Sequence, residues 1–353
     1  MPERQNRPFD VVDDAAVLAR KVGHLKRPQS YLSAPAAVVA RETHMSWVFL
    51  AGDRVYKLKK PVRFPYLDFS TLERRETACR AEQALNRRLA PDVYIGLVPL
   101  TVAAGGSYEI DGTGAVADWL VVMRRLDEAG TLEAALRARD VTPTHVHQLA
   151  AVLHRFFLHV PRILISSDSY LGSLQKAAMA DRRVLLSRSF GLPFGTIEQL
   201  ADVQHRYLLQ RRDVLAGRVR HRLIVDGHGD LRPEHIWLSP PFPIIDCLEF
   251  DARLRASDAL DELSFLHLEC ERLGGRWVAD ALRRRLMVLL ADETTSGLFL
   301  FYRIGRAMLR ARLSIAHLAD EHPRTPDKWP RLARTYLALA RTDAARLERL
   351  LTS

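Results

Sequence analysis

The sequence predicts an α+β protein of two lobes, a small β-rich lobe followed by a larger, mainly helical one. Three observations predict it. Residues 36–62 are dense in β-formers (Val38, Val39, Trp47, Val48, Phe49, Leu50, Val55, Tyr56) and are punctuated by Ala51-Gly52-Asp53, a hairpin turn. Beyond Asp127, apolar residues recur at helical spacing for most of the remaining chain. Within that helical half, two carboxylates, Asp230 and Asp246, stand sixteen residues apart, each near the end of an apolar run.

The elements follow in order. Val12, Ala15, Ala16, Leu18, Ala19 and Val22 give a leading helix over 11–27. Strands are expected at 36–42, 46–51 and 54–60. A helix over 71–89 carries Leu72, Cys79, Leu85 and Leu89 on one face and ends before Pro91. Strands at 93–101, 107–110 and 117–124 surround a Gly-rich turn. Thr131 can cap a helix at 132–139, and another spans 143–160. Residues 164–220 hold further helices. Short strands are expected at 222–225, 235–238 and 243–246, then helices at 257–273, 275–291, 293–319 and 327–351. The organisation is therefore a helical extension (1–30), a β-rich lobe (31–124) and a helical lobe (125–353), with a ligand expected in the cleft between lobes.

Composition narrows the function. No run of eighteen apolar residues occurs, so no membrane span is expected. The first residues lack the apolar core of a secretory signal. Cys79, Cys247 and Cys270 are scattered without zinc spacing and suit reduced core thiols of a cytoplasmic protein. The formal charge of +10 would suit an anionic ligand, but no basic block interleaved with aromatics argues for nucleic acid.

Two buried carboxylates are costly unless paired, hydrated or bound to metal. Their arrangement suits phosphoryl transfer, where one carboxylate accepts a hydroxyl proton and the other holds a divalent ion on the phosphates. His228 and Asp230 point to the same side of an extended segment, so His228 is expected to hold the loop. No GxxxxGK[ST] string occurs, which disfavours a P-loop enzyme.

The string HGDLRPEHI (His228 to Ile236), followed by IIDCLEFD (Ile244 to Asp251), resembles the catalytic region of aminoglycoside-phosphotransferase-like kinases. THMSWVFLAGDRVYKLKKPV (Thr43 to Val62) resembles their nucleotide-binding lobe, and the resemblance covers about residues 36–270. It implies a protein-kinase-like fold and an ATP-dependent transfer of phosphate to a small-molecule hydroxyl. Asp230 would be the catalytic base, and Asp246 the ligand of Mg²⁺ or Mn²⁺. The pattern then expects a metal-binding Asn five residues after Asp230, where this chain has His235. His235 would bind the ion, contact phosphate as a donor, or weaken the site. Lys57 would meet the α/β-phosphates, with Lys59 as the alternative. Glu82 would pair with that lysine, with Glu76 as the alternative. Thr43 and Ser46 would cover the phosphates. Val122 and Met123 would form the adenine hinge. Glu249 and Asp251 are near enough in sequence to assist Asp246, whereas Ser257, Asp258 and Asp261 suit the capping of a helix.

Arg303, Arg306 and Arg310 share one helix face. If that face borders the cleft, it reads an anionic substrate; otherwise it is a solvated stripe. Rival readings are a catalytically impaired nucleotide-binding regulator of the same fold, and a metallophosphoesterase in which Asp226 and Asp230 share an ion.

Overall fold

A computed structural model describes residues 12–64, 66–187, 190–292, 296–319 and 325–352. The chain divides into two compact units, the first comprising residues 1–127 and 243–251, the second 128–242 and 252–353.

In the first unit, β1 (Val38–Glu42), β2 (Ser46–Ala51), β3 (Arg54–Lys59), β6 (Tyr94–Val102), β7 (Tyr108–Ile110) and β8 (Ala115–Arg124) form one sheet. Its order is β1-β2-β3-β8-β6-β7, and every pairing is antiparallel. A two-strand hairpin, β4 (Arg63–Phe64) with β5 (Leu67–Asp68), was not expected from the sequence. Alternation along the strands gives the sheet two apolar faces. Phe49, Ala51, Leu58, Leu100 and Leu120 form one core with Val22 and Leu25 of α1 (Val12–Leu25) and with Tyr31. Leu50, Val55, Val121 and Met123 form the other with Cys79 of α2 (Leu72–Asn86), Ala90, Val93 and Tyr94. A buried charge cluster ties α1 and α2 to β8: Lys21 Nζ lies 2.7 Å from Asp118 Oδ2, and Arg75 Nε lies 2.8 Å from Asp118 Oδ1.

The second unit is helical: α3 (Leu132–Ala138), α4 (Pro143–His159), α5 (Ser167–Leu185), α6 (Phe194–Gln210), α7 (Arg212–Arg220), α8 (Ala259–Arg272), α9 (Arg276–Leu289), α10 (Ser296–Ala316) and α11 (Lys328–Thr352). Thr131 caps α3, accepting from the Ala134 amide. Helix α10 runs through the core, with Leu298 to Ile304 buried without interruption. Among the described residues, no helix is long and apolar enough to cross a membrane.

Three sequence expectations fail for local reasons. Residues 243–246 are not a strand, because Phe242 and Asp246 have positive φ (60° and 64°). Residues 233–235 form a 3-10 turn, and Trp237 makes only an isolated bridge to Thr131. The apolar alternation there reflects burial alone, which a short run does not distinguish from a strand. The third is the start of the helix after the acidic loop. Ala256–Asp258 is β10, paired with β9 (Ile224–Asp226), and Asp258 caps α8 by accepting from Leu260 N–H.

Because Leu25 is fully buried against the sheet, helix α1 belongs to the core of the first unit. Leu25→Ala is expected to lower the unfolding free energy by about 2–5 kcal/mol, measured as a drop in urea midpoint at unchanged m-value.

Candidate functional site

The first unit gathers two lysines and three carboxylates. Lys57 and Lys59 alternate with the inward Leu58 on β3, so both ammonium groups reach the α2 side of the sheet. Glu82 of α2 takes one lysine on each oxygen: Lys57 Nζ to Oε1 at 2.8 Å and Lys59 Nζ to Oε2 at 2.7 Å. Lys57 also lies 3.3 Å from Asp246 Oδ1, and Lys59 pairs with Glu249. Glu76, the alternative acid, pairs with Arg80 on the helix surface instead. Glu82 and Lys59 are each 1% exposed, whereas the Asp246 side chain is 49% exposed. Lys59 is thus enclosed by its partners, and Asp246 presents an open flank.

Burial by itself would lower the Lys57 pKa. The Glu82 carboxylate, followed by Asp246 and Glu249, overrides it and holds the ammonium group charged well above its usual range. Burial would raise Glu82, and the two lysines keep it below the usual carboxylate range.

Asp246 owes its position to contacts along the chain around it. Its N–H donates to Tyr94 Oη at 3.4 Å, and Cys247 N–H donates to the buried Asn86 Oδ1 at 2.9 Å. The segment is therefore held by α2 and β6 while the backbone turns left-handed at Asp246.

The two residues expected at the adenine hinge lie within β8: Val122 is in register with Tyr56 and Gly96, and Met123 with Val55 and Tyr94, with a register shift between Tyr94 and Gly96. Alternation also places Val122 on the face opposite Val121, the register partner of Lys57. Met123 is on the lysine side, in one apolar cluster with Val48, Val55, Leu126 and Ile245. Thr43 and Ser46, expected to cover the phosphates, form the turn between β1 and β2: Thr43 Oγ1 donates to the Ser46 carbonyl and accepts the Ser46 N–H, both at 2.9 Å. Lys60 Nζ holds that turn through the Thr43 carbonyl at 2.9 Å, and His44 stacks on Phe64.

The second unit contains the HGD loop. Glu262 of α8 receives the amides of His228 and Gly229 and the Ser257 hydroxyl. A Cβ at position 227 would meet Glu262 Oε1 at 2.6 Å, so only glycine lets the carboxylate approach this backbone. The buried His228 accepts the Asp230 N–H through Nδ1 at 3.3 Å. Asp230 Oδ2 lies 2.8 Å from Arg232 Nη2, and Arg232 also pairs with Glu234. His235 places Nδ1 2.9 Å from the Asp230 carbonyl and Nε2 3.3 Å from Arg232 Nη2. Burial would raise the Asp230 pKa, but the Arg232 guanidinium holds it below the ordinary carboxylate value.

Arg232, Glu262 and the lysine-bound role of Glu249 were not anticipated. The sequence did hold a signal for Arg232, which sits two residues past Asp230 in an extended segment, the same argument that singled out His228.

The three arginines of α10, named as substrate candidates, each meet acids of the neighbouring helices. Arg303 pairs with Asp343 and Glu271, Arg306 with Asp261, and Arg310 with Glu269. They fasten α10 to α8 and α11, and form neither a solvated stripe nor a surface with spare charge. Asp226 pairs with Arg255 and Asp258 with Arg218, each acid having its own guanidinium. No group of three or more His, Cys, Asp or Glu residues takes up metal-binding geometry among the described residues.

Comparison with solved structures shows the fold. A choline/ethanolamine kinase family protein from Mesorhizobium loti superimposes over 96% of this chain and 98% of its own, with TM-score 0.52 and 16% identity. A thermostable mutant of aminoglycoside phosphotransferase APH(4)-Ia, in ternary complex with AMP-PNP and hygromycin B, matches over 89% of this chain and 96% of its own, with TM-score 0.50 and 10% identity. The chain has the protein-kinase-like α+β fold of small-molecule kinases. No family model matches it. Uncharacterised proteins of Mycobacterium tuberculosis and Mycobacterium bovis are 32% identical over 286 residues, covering 80% of this chain. The match spans 56% of the length of these relatives.

Two outcomes check the geometry. Glu82→Gln, which leaves two buried lysines without their shared carboxylate, is expected to cost about 3–5 kcal/mol, read as a shift in denaturation midpoint. Asp230 has a depressed folded-state pKa, so its contribution to stability is present above the unfolded value and is lost as pH falls through the folded one. Arg232→Met is expected to move that titration upward, observed by carboxyl ¹³C NMR, and to flatten the acid-side loss of stability.

Proposed function

We propose that this chain is an ATP-dependent phosphotransferase that moves the γ-phosphoryl group to a hydroxyl of a small molecule. The observation that carries the reading is the buried Lys57–Glu82 pair with the half-exposed Asp246 beside it. A lysine held charged and fixed in direction suits the α/β-phosphates. The apolar group of Val48, Val55, Met123, Leu126 and Ile245 suits an adenine ring on the same side of the sheet. Asp246 is the most exposed acid of the three in this cluster, which supports a cation at its carboxylate. Mg²⁺ or Mn²⁺ fits such a site because it keeps waters and phosphate oxygens and takes only one or two carboxylates from protein. When bound, the ion would supply positive charge against the phosphates.

Asp230 is the group assigned to orient the acceptor hydroxyl and take its proton. Its depressed pKa keeps it ionised at neutral pH, as a base requires. Glu262 and His228 hold the loop that carries it. The kinase fold shared with a choline/ethanolamine kinase family protein supports the reaction class, and the AMP-PNP and hygromycin B complex of APH(4)-Ia supports a nucleotide with a small-molecule acceptor.

A second reading, a nucleotide-binding regulator of impaired activity, is favoured by one observation: His235 stands where the kinase pattern has Asn, and Arg232 engages Asp230. Turnover decides between the two. With Mg²⁺ or Mn²⁺ and a panel of hydroxyl acceptors, the chain is expected to consume ATP. Asp230→Asn should lower turnover by about 10²–10⁴-fold while the thermal shift with AMP-PNP persists. Stabilisation by nucleotide without turnover under either metal would establish the regulatory reading. Full turnover in Asp230→Asn would remove that residue from the mechanism.

A further inference from the structure

We propose that His235 is not a metal ligand in this protein, and that it instead holds the Arg232 guanidinium against Asp230 as a built-in cation. The inference rests on the phosphotransferase reading, in which the kinase pattern places a metal-binding Asn at this position. Two features of the HGD loop oppose a metal there.

The first is the imidazole itself. A carbonyl only accepts, so the 2.9 Å contact to the Asp230 carbonyl places the proton on Nδ1. A guanidinium only donates, so the 3.3 Å contact to Arg232 Nη2 uses the lone pair of Nε2. A neutral imidazole has one ring lone pair for a metal, and here it faces a cation. The second is the carboxylate. Asp230 Oδ2 is turned to the same guanidinium at 2.8 Å.

Arg232 has what a fixed charge needs. Its side chain is 17% exposed, and Asp230, Glu234 and His235 hold it from three directions. It does not deprotonate in proteins. Its Nε–H is buried without a hydrogen-bond partner, so the loop around Arg232 does not satisfy every donor of the guanidinium. The charge that a second ion would bring is already in the chain. Arg232 and His235 then act as positioning residues for Asp230.

Equilibrium dialysis of Mn²⁺ against the full chain with saturating AMP-PNP tests the inference. Wild type and His235→Ala are expected to retain the same number of ions per chain. His235→Asn serves as the second variant should the alanine form fail to fold. Loss of one ion in either variant overturns the proposal. Steady-state ATP hydrolysis gives the second readout: Arg232→Met should lose about 100-fold in kcat with KM for ATP within about threefold, and Arg232→Lys should recover part of it. Unchanged kcat in Arg232→Met overturns the role given to the guanidinium. A wild-type chain that retains no AMP-PNP has a different signature. It sinks the phosphotransferase reading and takes this inference with it.

Discussion

The first unit depends on one buried carboxylate shared by two lysines. Glu82 could not sit at 1% exposure without compensation, and each of its oxygens meets an ammonium group. The consequences reach beyond α2. Lys57 and Lys59 are fixed in direction on β3, and each then engages a further acid, Asp246 or Glu249, from the 243–251 segment. Strand, helix and acidic segment are thereby set in one register, with the more exposed acid at the edge. A surface ion pair would not achieve this, because solvent screening and side-chain entropy leave such pairs nearly without net energy.

The second unit solves the analogous problem with a different device. The HGD loop has little regular structure of its own, so its amides must be satisfied from outside. Glu262 satisfies two of them, and the close approach it makes is open only because residue 227 is glycine. Arg218 on Asp258, Arg306 on Asp261 and Arg303 on Glu271 and Asp343 extend the same principle to the helices behind the loop. Arg75, Arg218, Arg255 and Arg303 are themselves buried. Buried acids call for buried guanidinium groups, and the planar fork of arginine meets carboxylates in pairs of hydrogen bonds.

The fold was legible because its signals are local and repetitive. The alternation through Val48, Leu50, Val55 and Leu58 and the helical period beyond Asp127 survive any arrangement of neighbours. The pairing of Glu82 with a lysine was legible for a related reason, since an acid on an apolar helical stripe requires a cation. The hinge and the phosphate turn were less so. Val122 and Met123 are apolar β-formers wherever they stand in the sheet, and Thr43 has the same hydroxyl whether it faces a ligand or the Ser46 backbone. Arg303, Arg306 and Arg310 share a face as their spacing dictates, but spacing does not say what lies opposite.

Sequence by itself determined the α+β class, the lysine strand, the acid on α2 and the two carboxylates Asp230 and Asp246. Each follows from periodicity or from the cost of burying charge, which are properties of the chain alone. Tertiary structure decided that Glu82 serves both lysines, that Asp246 takes a left-handed backbone, and that His235 faces Arg232. Those outcomes depend on which group a distant element brings within about 3 Å, the reach of a hydrogen bond, and no local pattern encodes that distance.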